Sequence, residues 1–516
     1  MATAVTASRS PFSVIQGSGP RPAHHHSLSS WMNRVLEELA KFRSSRDDDT
    51  VHDLRVAIRR CRSLAAVMEE VDPDPTWYQM RKAARKLFRG LGAVRDVQVL
   101  EGWVKQLGAE ADPLRAQLLA ALKIGEEDRA ATSARVASKF DTKEWLGFEP
   151  ILRRRIRLVP VGGLAAECLA LERLEEARDR HAHALRTNHA KPWHGLRIAL
   201  KKFRYTVECL LPDRYAGWRK NLKRLQDLLG EIHDLDVLAE KLAELHVAAE
   251  AADSWRLRIE QERHQRVETY RQLTLGKTSL WHEWRLALPS GERLESAVAA
   301  RLGVTARASD KHIRRSAQES RLALRLFDIL RRSAATLFEP ASTRRIMQAS
   351  ARLHGVSVVD DRRVSPKAIR KFLRTLALPP NWSAEDWDLM TWSVRFQRGP
   401  EPEQRNGFGK LREAQQTIVR AVAGTLRLAR ALRKAGIQSP VGMRSEKSLD
   451  AFVIRVPALP DTAEIAGDLA KAKHLLESVL SKPLILKPVA AKTKKQSATP
   501  APAPAAATPS LVAASD

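Results

Sequence analysis

Val51–Leu64 reads VHDLRVAIRRCRSL, and Trp193–Thr206 reads WHGLRIALKKFRYT. His, Leu, Arg, an aliphatic pattern and three further basic positions recur at an offset of 142 residues, from Val51 to Trp193. A second pair follows in the same order. Lys86–Leu100 reads KLFRGLGAVRDVQVL and Arg224–Leu238 reads RLQDLLGEIHDLDVL, offset by 138. Two ordered coincidences at nearly one offset identify a duplicated unit. Its halves span roughly residues 28–160 and 164–290.

Both copies read as helix. With His52 at zero and ~100° per residue, Arg55, Arg59 and Arg62 share an arc of about 80° with it. Leu54, Ile58, Cys61 and Ala65 form an apolar stripe directly beside that arc, and Arg60 points away from both. His194, Arg197, Lys201 and Arg204 take the same four positions in the second copy. The following helix places Lys82, Arg85, Lys86 and Arg89 on a similar face. Its counterpart carries Lys220, Lys223 and Arg224, with Asp227 where Arg89 stands in the first copy. A merely solvated face interleaves acid with base at i,i+4. These arcs are nearly free of acid and abut the apolar stripe, so they are expected to line a concave basic site. Rising ~1.5 Å per residue, the His52–Arg62 row spans ~15 Å with its cations ~4.5–6 Å apart. That spacing suits a linear run of phosphates, with arginine forks gripping two oxygens at once and lysine acting as a point charge.

Charge agrees. Lys and Arg total 88 against 60 Asp and Glu, a net +28 over 516 residues. Such an excess concentrates anions and points to a polyanionic partner. The length exceeds one core, so two folded units plus tails are expected. No apolar run reaches the ~18 residues of a membrane span, and Ala2–Arg21 is too polar for a signal peptide. Cys61, Cys168 and Cys209 are odd in number and scattered, which argues against disulfides and for a reducing, cytoplasmic setting.

Elsewhere the chain also reads as helix, with Ala, Leu, Arg and Glu dominant. Breakers cluster at Asp72–Pro75, Pro160–Gly163, Lys191-Pro192, Pro289–Gly291, Pro379-Pro380 and Gly399–Pro402. Arg219–Gly276 should hold two helices. Strands are expected only near Ala451–Val456 and Pro483–Lys487. Residues 1–26 and the Ala/Pro-rich residues 488–516 are expected to be disordered. His24–His26 is too short a run to bind metal. His52 and His194, crowded by cations, suit hydrogen bonding to phosphate or backbone better than acid–base work. No carboxylate is expected to partner them, because Asp53 follows one and Gly195 the other.

The combination H-x-L-R-(x)3-[RK]-(x)2-[RK], a basic helix and L-G-x-(x)-[RH]-D, occurring twice, resembles the CHAD (conserved histidine α-helical domain) family over roughly Ser27–Leu288. The resemblance implies an all-α fold: two four-helix bundles related by a pseudo-twofold axis around a basic central channel, with residues 27–290 as the domain. It also implies binding of inorganic polyphosphate and association with polyphosphate granules in the cytoplasm. The family's basic positions carry over onto His52, Arg55, Arg59, Arg62, Lys82, Arg85, Lys86, Arg89, His194, Arg197, Lys201, Arg204, Lys220, Lys223 and Arg224. Asp227 and His233, in place of Arg89 and Arg95, imply a weaker grip in the second half.

Residues 296–487 form a second helical unit. Arg321–Leu330, Ala351–Val359 and Val394–Pro402 together resemble the HD-type C-terminal domain of exopolyphosphatases and guanosine pentaphosphate phosphohydrolases. An HD hydrolase needs His and Asp ligands for its metals. Here the tandem pair reads His354-Gly355, and Gln318 and Gln397 occupy positions where histidine is frequent. A structural role suits His354, and no metal or cofactor is implied. This unit reads as a non-catalytic helper. It adds phosphate contacts through Arg344, Arg345, Arg352, Arg362, Arg363 and Lys367, or presents a surface to partners such as granule proteins. The leading expectation is therefore a binding protein that breaks no bond. A nucleic-acid binder and an HD-type phosphohydrolase are the alternatives. Tyr205 is the only aromatic on the basic arcs, where single-strand binders use several, and no phosphate-binding glycine loop occurs.

Overall fold

The computed structural model describes residues 24–489 except 46, 73, 158, 160, 245–248, 306–309, 335–340, 354–357, 360, 361, 364, 375, 377, 403–406 and 447. Its first half runs α1 (His24–Ser44), α2 (Asp48–Val71), α3 (Pro75–Ala83), α4 (Arg85–Leu107), α5 (Pro113–Lys123), α6 (Glu126–Ser138) and α7 (Thr142–Ile156). The second copy runs α8 (Leu164–Thr187), α9 (Ala190–Leu210), α10 (Pro212–Glu244), α11 (Ala249–Thr274) and α12 (Leu280–Ala287). After these come α13 (Gly291–Thr305), α14 (Asp310–Ser333), α15 (Ala341–Leu353), the two-residue strands β1 (Val358–Val359) and β2 (Arg362–Arg363), α16 (Pro366–Leu373) and α17 (Ala384–Phe396). A 3₁₀ turn at Phe408–Lys410 leads to α18 (Glu413–Lys434), β3 (Arg444–Glu446), β4 (Phe452–Pro457), α19 (Ala463–Leu480) and β5 (Leu484–Val489).

The chain is thus overwhelmingly helical; five of the six expected breaks fall between helices, while those at Gly108–Asp112, Gly125 and Lys139–Asp141 were not expected. α2 ends at Val71, and α3 opens on Pro75, where a missing N–H costs nothing. Asp47 caps α2 by accepting from the Thr50 amide at 2.8 Å, and Asp74 caps α3 through Thr76 at 3.0 Å. Pro192 lies inside the first turn of α9 and does not separate helices. Arg219–Gly276 holds most of α10 and all of α11. Strands occupy both anticipated stretches. β4 pairs antiparallel with β3 and parallel with β5, Phe452 opposite Leu484, giving a small mixed sheet beside α19. β5 continues to Val489, one residue past the expected start of the tail, and α1 begins at His24, inside the segment expected to be disordered.

Helix pairing around the site repeats between the copies. α1 packs on α2 and α8 on α9; α2 packs on α4 and α9 on α10. Cross-contacts α2 to α9 and α4 to α10 close these four helices into a ring. One end of the ring is sealed by a satellite apolar cluster in which Leu100, Trp103 and Val104 of α4 meet Leu235 and Leu238 of α10 and Trp255 of α11. Asp112 pins that end, accepting from Trp255 Nε1 and Arg258 Nη2, each at 3.0 Å. The second copy is anchored by buried rings: Trp193 meets Tyr270 edge-on at 5.2 Å, and Phe203 and Trp218 lie 5.4 Å and 6.0 Å from Trp284. Burying such side chains contributes ~1.5–3 kcal/mol apiece and fixes the rotation of α9, hence the direction of its basic face. α13 packs on both α8 and α15, joining the duplicated region to the C-terminal helices. The three cysteines are buried and free. Among the described residues no helix is long and apolar enough to cross a membrane.

Candidate functional site

The basic arcs of α2 and α9 face one another. Arg55 is about one quarter exposed; its Nη2 lies 3.4 Å from Asp96 Oδ1, and its guanidinium lies 4.9 Å from the Phe88 ring centre. It crosses α4 at Gly92, where a Cβ would stand 2.5 Å from Arg55 Nη1, so a larger residue would displace the guanidinium from this seat. Arg62 lies 4.8 Å from the same ring and donates to the Arg81 carbonyl at 3.4 Å. Arg60 leaves the arc, as its angle requires, to pair with Glu208 of α9 and lie 5.6 Å from the Trp31 ring centre.

From α9 come Arg197 and Lys201, both half-buried. Burial and the positive charges of Arg197, Arg59 and Arg55 push the Lys201 ammonium from 10.5 down to about 7. Burial also lowers the Arg197 guanidinium, with Asp234 and Asp96 acting against it and Arg59 with it. Four cations from two helices therefore occupy one field, incompletely neutralised. His194 sits beside them, 4.6 Å ring to ring from His233, and its buried Nδ1 has no hydrogen-bond partner. Burial, then Arg197, His194 and Lys201, hold His233 down at about 4. His233 stands in the place of Arg95, so the second copy carries a neutral ring where the first carries a cation.

Two residues of this site belong to a motif noted in sequence but not counted among the binding positions. Asp96 and Asp234 each end the L-G-x-(x)-[RH]-D segment, and both act on Arg197. Burial raises the Asp234 carboxyl even with Arg197 at hand.

A cleft of about 560 Å³ opens next to the cluster, lined by Arg59, Arg62 and Lys201 together with Arg81, Arg173 and Lys202. The last three were not expected. Each is tied to acid at the rim: Arg81 to Glu69 at 2.7 Å, Arg173 to Glu70 at 2.5 Å, Lys202 to Glu176 at 2.8 Å.

The other expected positions divide. Lys82, Arg85, Lys86 and Arg89 are exposed, and Arg85 and Arg89 reach Arg62 electrostatically. Lys220, Lys223 and Arg224 are exposed on α10, with Lys223 3.5 Å from Asp227. Arg204 is buried and bonded internally, to Gln226 Oε1 at 2.8 Å and to the Tyr215 hydroxyl at 3.5 Å. His52 is half exposed, and its Nδ1 lies 3.2 Å from Asp53 Oδ1, so the expectation of no carboxylate partner fails there. Adjacent helical residues normally diverge; an exposed, unconfined imidazole turns back far enough to meet its neighbour.

In the C-terminal part His354 lies outside the described residues, as do the side chains of Arg362 and Arg363. Gln397 is buried and Gln318 half-buried. Arg345 bonds Asp386 at 3.0 Å and the Asn381 carbonyl at 2.5 Å; Arg344 stands 4.0 Å from Asp328. Arg352 is half-buried, and burial lowers its guanidinium; Lys367 is exposed. Among the described residues no three His, Cys, Asp or Glu side chains are grouped to hold a metal ion.

Fold and site together define a helical protein with a walled cationic cleft. Residues 28–243 match the family model described as the CHAD domain. Among solved structures, the chain is similar to the CHAD domain from the plant Ricinus communis, at 24% identity and a TM-score of 0.37, over 48% of this chain and 89% of that one. None of the curated proteins matches.

Proposed function

We propose that this chain binds inorganic polyphosphate, without breaking bonds, through the arginine and lysine rows of α2 and α9. Arg62, Arg85, Arg89 and the exposed cations of α3, α4 and α10 extend the track. The convergence of Arg55, Arg59, Arg197 and Lys201 carries this reading. A polyanion supplies the negative charge that this cluster lacks, and a pentavalent-phosphorus chain offers closely spaced oxygens to match the ~4.5–6 Å ladder of a helical face. Arg204 lies outside the proposed ligand set because it is buried, with Nη1 donating to Gln226 and Nη2 to Tyr215. The match of residues 28–243 to the CHAD domain family supports the same ligand class and, with it, residence at polyphosphate granules. Residues 296–487 serve as a non-catalytic unit: Arg321–Leu330, Ala351–Val359 and Val394–Pro402 resemble an HD-type domain, but its ligand positions read His354-Gly355, Gln318 and Gln397.

The test compares long-chain polyphosphate, single-stranded DNA and duplex DNA at matched salt. The comparison is repeated on a variant carrying Arg55→Glu, Arg59→Glu, Arg197→Glu and Lys201→Glu. Polyphosphate should bind tightest, and the variant should lose at least 100-fold. Equal affinity for all three polymers, or an unchanged variant, overturns the proposal. Phosphate release on adding Mg²⁺ or Mn²⁺ would overturn its non-catalytic part.

A further inference from the structure

The cleft beside the cationic cluster is not basic throughout. Along α2 its lining passes from Arg59 and Arg62 through Ser63, Ala66 and Val67 to Glu69 and Glu70. That is a change from cation to apolar wall to carboxylate over ~16 Å of helix. The facing wall on α9 contributes Ile198, which is 43% exposed, and the ring of Tyr205, which is half-buried. At the acidic end Glu69 spends Oε2 on Arg81, while its Oε1 is buried with no hydrogen-bond partner.

A bare phosphate chain uses none of this. It has no apolar surface for Ile198, Val67 and Tyr205, carries no donor for Glu69 Oε1 at neutral pH, and finds Arg81 and Arg173 already paired with Glu69 and Glu70. The cleft instead matches a ligand with phosphates at one end, a flat apolar body in the middle and N–H or O–H donors at the other. Its volume of about 560 Å³ fits a small molecule and not only a thread. We propose that this cleft binds a nucleoside polyphosphate. The phosphates lie against Arg59, Arg62 and Lys201, the base stacks on Tyr205 over the Ala66–Val67–Ile198 wall, and an amino or hydroxyl group donates to Glu69 Oε1. This rests on the phosphate-binding reading above and narrows it to a second ligand class at the same cations.

Two ligands of equal phosphate number separate the contributions. Adenosine triphosphate and inorganic tripolyphosphate are titrated into the full chain at one salt concentration with metal chelated, alongside long-chain polyphosphate. Base stacking on an aromatic ring should make the nucleotide bind roughly tenfold more tightly than tripolyphosphate. Tyr205→Leu should erase most of that advantage and Glu69→Ala a smaller part of it, each leaving tripolyphosphate within about twofold. Nucleotide binding equal to or weaker than tripolyphosphate, beside intact long-chain binding, overturns this inference alone. Failure of the nucleotide and of both inorganic chains removes the parent reading as well.

Discussion

Lys201→Met should stabilise the free protein and weaken it as a polyanion binder. In the folded chain the ammonium is driven from 10.5 to about 7 by burial first and by Arg197, Arg59 and Arg55 after it. At ~1.4 kcal/mol per pH unit that drop bounds the cost of the charged form at about 4–5 kcal/mol. Solvent at the half-buried side chain and charge repulsion persisting in a compact denatured chain reduce the expected gain to about 1–3 kcal/mol. Methionine keeps the length of the stem, so little packing is lost. The sign fixes the pH dependence. Below pH 7 both states hold the proton and the full cost is present. Between about 7 and 10.5 the unfolded chain holds the extra proton, so wild-type stability climbs with pH and the advantage of the variant shrinks.

Denaturant unfolding of both proteins at pH 6, 8 and 9.5 measures this. The midpoint difference should be largest at pH 6. Saturating polyphosphate should then reverse the order, because phosphate restores the charge of Lys201 and binding takes up protons near neutrality. Calorimetric titration in buffers of different ionisation enthalpy reads that uptake directly. A Lys201→Met protein less stable than wild type at pH 6, or a difference independent of pH, refutes the claim that this lysine is held against its charge.

Gly92→Ala should leave stability within ~1 kcal/mol, since alanine favours helix, yet lower polyphosphate affinity several-fold by driving Arg55 off α4; binding and melting curves together check it. Arg204→Met should cost ~1–3 kcal/mol through the loss of its buried bonds to Gln226 and Tyr215, with polyphosphate affinity within about twofold; a large loss of affinity would return Arg204 to the ligand set. Asp72→Ala should cost ~2–4 kcal/mol, because Asp72 holds Trp77 Nε1 at 2.9 Å and Arg155 from α7; unfolding in urea measures it. Each cation removed from the ring should reduce the slope of log affinity against log salt by about one.

How far the sequence discloses this site depends on the reach of helical periodicity. One helix carries its own angles, so Arg55, Arg59 and Arg62 could be set on one face and Arg60 on another from VHDLRVAIRRCRSL alone. The duplication then supplied the partner face. Periodicity cannot say what a neighbouring helix brings: Arg81, Arg173 and Lys202 come from α3, α8 and the flank of α9, and each pairs with a carboxylate on another helix, Glu69, Glu70 and Glu176 respectively. Reckoning from Lys82 to Arg89 also crosses the junction between α3 and α4 at Ala84, where φ −74° and ψ −7° depart from regular helix. Equal motifs gave unequal surroundings for the two histidines. His52 sits on an open edge beside Asp53, whereas His194 is enclosed by α10 and faces His233.

Asp96 and Asp234 fit a ligand site better than a simple charge balance. Two carboxylates cannot neutralise Arg55, Arg59, Arg197 and Lys201, so they do not make the cluster self-sufficient. They can orient it. At 3.4 Å, with 71% of the Asp96 side chain exposed, the Arg55 contact is long and wet, and such a pair contributes ~0–1 kcal/mol. An arriving phosphate oxygen therefore displaces Asp96 at little cost and finds a guanidinium already held by Phe88 and seated over Gly92. A tighter internal pair, such as Arg60 with Glu208, would forfeit that readiness. The weak contact at the mouth and the strong one behind it are thus two parts of one arrangement: Arg60–Glu208 fixes how α2 and α9 lie against each other, and Arg55–Asp96 leaves the facing cation free to be taken.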